Sequence, residues 1–328
     1  MHSKRHNDPQ AFNIIGPRKE TMRTVLAALL ASLMLLPLAS SAFTQDNWDE
    51  ARISADSDGG TIGGISLPIH GNSTSVYSDV SNLPTVIEVY TATWCTNCVL
   101  TEGYMEDAIG ESEVEIIHYH DHWFQVNDPF GSNSTEERWE SIYGHAVTEI
   151  GGAPHLAPTS IIDGERMHFG TRSKTDSLTE DYSDSISVGS SAPLIGHIEM
   201  SISIPENPEQ GIEVMWDISG LTYDCEGECP SVSLSPWIMF VEETAHYPEG
   251  SNGLEHYSHI LRETIQLEGD DGAISVVPPT NWDGDDMSVV LIVDWEKRTP
   301  ENGSPLPAAG VSTLLCALAA FLPNRRKK

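Results

Sequence analysis

Basic residues are scarce in this chain. Against 49 Asp and Glu stand 17 Lys and Arg, a formal net charge of −32. Nine of the 17 sit at the two ends (Lys4, Arg5, Arg18, Lys19, Arg23, Arg325, Arg326, Lys327 and Lys328), which leaves eight for everything between. So acidic a surface repels phosphate backbones, and nucleic-acid binding is excluded. The acidity reads instead as solvation in a salty medium. Calcium binding is a minor reading. The acidic loops Asp56-Ser57-Asp58-Gly59 and Asp283-Gly284-Asp285-Asp286 lack the distal Glu of a full calcium loop.

Apolar runs of comfortable membrane-spanning length are missing too. Val25–Leu38 (VLAALLASLMLLPL) follows Arg18, Lys19 and Arg23 and precedes the small residues Ser40-Ser41-Ala42. That is the build of a secretory signal rather than a span. Met22 offers an alternative start for it. At the other end, Val311–Leu322 is about as short as a span can be, and Arg325–Lys328 would stay on the cytoplasmic side. Leu306-Pro307-Ala308-Ala309-Gly310 is similar to a sortase-type signal without its usual Thr. The chain is therefore expected to be exported, to face the cell surface and to be held to membrane or envelope by its tail. A buried C-terminal helix is the plainer alternative for that segment.

Cysteines number five. Cys316 lies in the apolar tail. The others form two close pairs, Cys95/Cys98 and Cys225/Cys229, which can be oxidised outside the cytoplasm. Cys225-Glu226-Gly227-Glu228-Cys229 reads as a structural small-loop disulfide. The first pair is preceded by Thr85–Thr93 (TVIEVYTAT), a strand signal. It is followed by helical spacing from Asn97 to Ile109. A helix beginning at or just after Cys95 places unpaired N–H groups and a positive dipole end beside that sulfur, favouring thiolate. Cys95 then reads as the attacking thiol and Cys98, one turn on, as the resolving one. Trp94 would shield the pair.

Further along, Glu113–His120 reads as a strand. Ser134 to Glu137 reads as a capping box with Ser134 at the N-cap, opening a helix toward Ile150. Ala157–Asp163-Gly164 reads as proline, strand and two-residue hairpin turn, and Ser177–Ser187 as a polar helix. His118, His120 and His122 alternate, so they would share one face. A zinc or copper site there, with the thiolates, competes with a plainer hydrogen-bonded rim. After Ser190 no long helical pattern appears. Short alternating segments between turns predict an antiparallel sandwich.

Strand, CxxC, helix, strand, helix, then proline before a strand and hairpin is the element order of a thioredoxin fold. Region 84–169 resembles a secreted thioredoxin-like family of that superfamily. The resemblance rests on Glu88-Val89-Tyr90-Thr91 running into Cys95-Thr96-Asn97-Cys98, His118, Asp121-His122-Trp123, Asp128-Pro129-Phe130, Glu137-Arg138, and Ala157-Pro158-Thr159 before Ile161-Ile162-Asp163-Gly164. It implies a cis Pro158 facing the dithiol, with Ala157 placed to pair with a bound peptide backbone. Thr-Asn between the cysteines departs from the Gly-Pro and Pro-His of well-understood oxidoreductases, so no redox potential carries over. Segment 192–298 resembles, through Glu255–Arg262, the sandwich appended to thioredoxin-like domains in some bacterial surface lipoproteins.

The expected architecture is an α/β thioredoxin-like domain followed by an all-β, Ig-like sandwich. Its boundaries are a signal segment at 1–42, an acidic linker at 43–83, the two domains at 84–190 and 191–299, and the anchor tail at 300–328. The expected activity is thiol–disulfide exchange with no cofactor. The partners are protein thiols and disulfides, a redox protein for recycling, and a membrane through the tail. Two alternatives stand beside it: a surface binding or adhesion module with a static CxxC disulfide, and a copper or zinc carrier.

Overall fold

All of Thr85–Thr91 (TVIEVYT) but the first residue is buried, and such burial on both faces marks a central strand. The structure, a computed structural model, describes residues 48–52, 59–123, 128–205, 211–225, 229, 231–284 and 286–297. The expected signal segment, Cys316, the anchor tail and Asp56–Asp58 lie outside the described residues.

In chain order the strands are β1 (Asp49–Glu50), β2 (Gly59–Pro68), β3 (Thr74–Asp79), β4 (Thr85–Thr91), β5 (Val114–His120), β6 (Thr159–Ile162), β7 (Arg166–Phe169) and β8 (Leu194–Ile195). Then come β9 (His197–Ser203), β10 (Ile212–Asp217), β11 (Thr222–Tyr223), β12 (Val232–His246), β13 (His256–Gln266), β14 (Asp271–Val276) and β15 (Met287–Lys297). The α-helices are α1 (Thr96–Ile109), α2 (Asn133–Trp139), α3 (His145–Glu149) and α4 (Leu178–Val188). A π-helical turn over Glu140–Gly144 joins α2 to α3.

The expected fold class is corrected here. An α/β thioredoxin-like domain followed by a separate Ig-like sandwich is not what forms. The molecule is mostly β, built on one mixed nine-stranded sheet in the order β1-β7-β6-β4-β5-β13-β12-β15-β2. The sheet crosses the expected domain boundary where β5 pairs in parallel with β13, His118 opposite Ile260. Residues read as linker supply strands to both layers. β2 pairs with β15, and β3 pairs with β9 in a four-stranded sheet, β14-β10-β9-β3. The physical reason is that alternation shows which segments are strands but not which edge each one meets.

The smaller sheet covers one end of the larger. Ile198, Met200 and Ile202 of β9 and Val214 and Trp216 of β10 share a core with Ile238 and Phe240 of β12 and Val289, Leu291 and Val293 of β15. Each such side chain contributes about 1.5–3 kcal/mol on burial. A second core joins Tyr90, Ile117 and Tyr119 to Trp139 and Tyr143, and runs on to Met239, Leu261 and Val290.

Helix α2 lies over the junction. Its N-cap is Ser132 rather than Ser134. Thr135 N–H donates to Ser132 Oγ (3.4 Å), and Ser132 N–H donates to Thr135 Oγ1 (3.0 Å). Ser134 is spent on β13 instead, accepting from Thr264 N–H at 3.1 Å through its hydroxyl. Arg138 is fully enclosed, 3.3 Å from Glu88 of β4 and 3.4 Å from Asp294 of β15. Tyr119 and Tyr143 donate to Glu88 at 2.5 Å each, and Arg52 reaches Asp294 at 2.9 Å. Burial works against ionisation of Asp294, but Arg138 and Arg52 outweigh it and hold the carboxyl below its usual range.

Candidate functional site

β4 ends at Thr91, and Ala92-Thr93-Trp94 turns the chain into α1. Cys95 is the N-cap of that helix. Its N–H donates to Ala92 C=O at 3.0 Å, and its Sγ accepts from Cys98 N–H at 3.1 Å. A sulfur thus takes the place of the oxygen that normally satisfies an open helix start. Cys95 and Cys98 form a disulfide with Cα atoms 5.3 Å apart. Cys98 is fully buried, and Cys95 retains 5% exposure.

Trp94, Ala157 and Ala92 pack around the two sulfurs. The Ala157–Pro158 bond is cis. Pro158 C=O accepts from Gly170 N–H at 2.9 Å, while among the described residues no hydrogen bond engages the backbone of Ala157. Cys95, Cys98, Trp94, Ala157 and Pro158, distant in sequence, therefore meet at one place.

The turn before the disulfide is held from two sides. Thr93 N–H donates to Asp128 Oδ2 at 2.7 Å. Asp128 in turn accepts from Phe130 N–H at 3.1 Å and lies 3.1 Å from His120 Nδ1. Burial pushes the Asp128 carboxyl up, but His120 and the N–H donors win and hold it below the usual carboxylate range. From the β12–β13 loop, Ser251 and Asn252 N–H donate to Thr93 C=O at 2.9 and 3.1 Å. Asn252 Nδ2 reaches Ala92 C=O at 3.4 Å, and Asn252 Oδ1 accepts from Tyr257 at 2.8 Å. Sequence reasoning misses Ser251 and Asn252, which lie far along the chain and belong to no motif, so spacing carries no signal; Tyr257 falls within Glu255–Arg262, but nothing in that stretch ties it to the cysteine pair.

The remaining candidates do not join this site as one unit. His118 and His120 sit near the end of β5, but the side chain of His122 is exposed on the following loop. Three histidines on one face is thus corrected to two, because β5 ends at His120. Burial, then His259 and His120, push the His118 imidazole down to about 3. The Cys225–Cys229 pair is also a disulfide, with Cα atoms 5.8 Å apart on exposed residues. Among the described residues, the ligating groups that converge within 4.8 Å are Glu242, Asp283 and Asp286. Arg262 already pairs with Glu242, its Nε at 2.6 Å, and Asp283 N–H donates to Glu242 at 3.2 Å. That cluster is accounted for as a turn clamp.

No family model matches the chain, and no curated protein matches it. Two solved structures are similar over part of it. Protein AGR_C_4864 from Agrobacterium tumefaciens is 16% identical over 63% of this chain and 77% of that one, with a TM-score of 0.37. HBP35 of Porphyromonas gingivalis is 15% identical over 67% of this chain and 65% of its own, with a TM-score of 0.37. Likeness of that extent carries nothing about activity.

Proposed function

We propose that the protein exchanges disulfides with other proteins through Cys95 and Cys98. The observation that carries this reading is Cys95 Sγ at the open start of α1, accepting from Cys98 N–H at 3.1 Å beside the Ala157–Pro158 loop. In the reduced form the same N–H and the helix dipole favour a Cys95 thiolate. The thiolate attacks a substrate disulfide. A mixed disulfide forms and one substrate thiolate leaves. Cys98, deprotonated, then attacks Cys95 Sγ, so that the Cys95–Cys98 bond forms and the second substrate thiolate departs. Two electrons pass to the substrate, and a partner dithiol returns them by the reverse steps. Run backward, the oxidised pair accepts electrons from substrate thiols. The free backbone of Ala157 and the indole of Trp94 are the surfaces a substrate segment would meet. Export, with anchoring by the tail, places this chemistry where disulfides persist.

A second reading has an observation of its own: Cys98 is fully buried and Cys95 nearly so. A static disulfide in a surface binding module would look the same. The two readings separate on reduction potential. Exchange requires a potential within roughly −120 to −270 mV and a mixed disulfide trapped on Cys95 in Cys98→Ser. A potential below about −300 mV with no trapped adduct decides for the static bond.

A further inference from the structure

His246 ends β12 and His256 begins β13, and the two stand directly opposite each other in the antiparallel ladder. Side chains so placed leave the same face of the sheet, with Cβ atoms about 4.5–5.5 Å apart. Their ring centroids are 4.8 Å apart, with 37° between the planes. Both residues are exposed. One more backbone bond, Tyr247 N–H to Glu255 C=O at 2.8 Å, follows the pair before the chain leaves the ladder as a loop. That loop supplies Ser251 and Asn252 to the turn before Cys95.

Other histidines of this acidic chain meet a polar side chain. His120 lies 3.1 Å from Asp128, His155 3.2 Å from Glu136, His168 2.7 Å from Ser185 and His259 3.6 Å from Glu243. Among the described residues, His246 and His256 have no hydrogen bond or ion pair, only the contact between their rings. Two opposed imidazoles gain little from each other: protonated they repel, and neutral they leave their nitrogens to water. A cation between them would use one nitrogen from each. Zinc bonds imidazole nitrogen at about 2.0–2.1 Å, so two rings on one ion, at a right or a tetrahedral angle, have centroids about 4.5–5.2 Å apart. The observed 4.8 Å falls within that range. The terminal torsion of histidine is broad, so each exposed ring can turn a nitrogen toward the point between them.

We infer that His246 and His256 bind one divalent transition-metal ion of the zinc class, and that this ion ties off the base of the β12–β13 loop. Neutral imidazole suits zinc, nickel and copper, whereas magnesium and calcium prefer oxygen. Among the described residues no third ligating group converges with the pair, so water fills the remaining positions. The net charge of −32 gathers cations at the surface. The ion joins two strands where the loop departs, and it reaches the disulfide only through Ser251 and Asn252. The inference does not depend on disulfide exchange and holds for either reading of Cys95–Cys98.

The test titrates the full, oxidised chain with zinc chloride in excess magnesium chloride near neutral pH. The His246 and His256 ring signals are followed by NMR and the bound ion by calorimetry. We expect both rings to shift together and to saturate. His246→Thr and His256→Thr should each weaken that site at least about ten-fold, a loss that even an outer-shell partner can carry. Thr suits an exposed strand position, and circular dichroism checks the fold. Asp286→Asn, in the carboxylate cluster beside Glu242, should leave the site unchanged. Zinc should also slow the opening of Cys95–Cys98 by a phosphine reductant a few-fold in the parent and not in His256→Thr. The inference is overturned by ring signals that do not saturate, by the two rings responding at different zinc concentrations, or by magnesium displacing the zinc. A folded His256→Thr that binds as well as the parent, or loss of the site in Asp286→Asn, also overturns it. An unchanged reduction rate in the zinc-saturated parent overturns the tie between ion and loop. Should a Thr variant fail to fold, the ring signals of the parent decide.

Discussion

Cys95–Cys98 closes at the buried start of α1, under the Ala157–Pro158 loop, with its entry turn gripped by Asp128 and the β12–β13 loop. Cys225–Cys229 closes on exposed residues in the segment after β11. Both span only a few residues, so both remove similar, small amounts of unfolded-chain entropy, on the order of 2 kcal/mol. What separates them is surroundings. A helix start, a free backbone edge and a buried acid–imidazole pair meet at the first, and none of these adjoins the second among the described residues. Spacing alone assigns neither role.

The largest effect should come from cutting the contrast at its centre. Cys95→Ser is expected to lower dithiol oxidation and insulin reduction by at least about 100-fold, whereas the Cys225→Ser, Cys229→Ser double variant should keep the activity and lose no more than about 2 kcal/mol in urea. Equal loss from both would erase the distinction. Next in size is the charge cluster that ties the two halves of the sheet. Arg138→Leu leaves Glu88 buried without its cation and Asp294 with Arg52 alone, and should cost about 3–5 kcal/mol by equilibrium denaturation. A value near zero would mean that the cluster relaxes to water.

His168 gives a smaller effect with a defined pH window. Burial lowers its imidazole from 6.5 to about 4 while its Nε2 lies 2.7 Å from Ser185 Oγ. The unfolded chain then binds a proton that the folded chain refuses. Stability is full above pH 6.5, falls as pH drops toward about 4, and levels below it. The loss is on the order of 3 kcal/mol, and His168→Gln should flatten that part of a stability–pH curve. No such change is expected at the exposed disulfide. The smallest effect concerns the grip itself. Asn252→Ala removes contacts to Ala92 and Tyr257, and should cost about 1 kcal/mol while raising the rate at which dithiothreitol opens Cys95–Cys98 a few-fold. An unchanged rate would show that the loop only fills space.

Locally encoded features were legible in the sequence. β4 is marked by its β-branched run, α1 by its start at the CxxC, and the β6–β7 hairpin by Asp163-Gly164, which take φ of 50° and 64°. The pair Cys95/Cys98 and the loop at Pro158 were legible as parts. The strand β2 was not, because GGTIGGISLP reads as flexible linker. Its glycines serve contact instead: a Cβ at Gly60 would lie 2.7 Å from Asp163 O, and Gly63 takes a φ of +126°. Ser134 with Glu137 makes a better local capping pattern than Ser132, and only β13 shows where Ser134 is needed. The meeting of β5 with β13 and the reach of Asn252 to Ala92 were invisible for the same reason. They are long-range pairings with no periodic or compositional trace.

The seam between β5 and β13 bears on how this molecule can be dissected. A fragment ending near Ser190 would carry β5 as a bare rim, its amide and carbonyl groups open to any passing strand. Such a piece is expected to self-associate rather than stand alone. The half bearing the sulfurs is therefore expected to need β13, β12, β15 and β2 beside it, as strands of its own sheet.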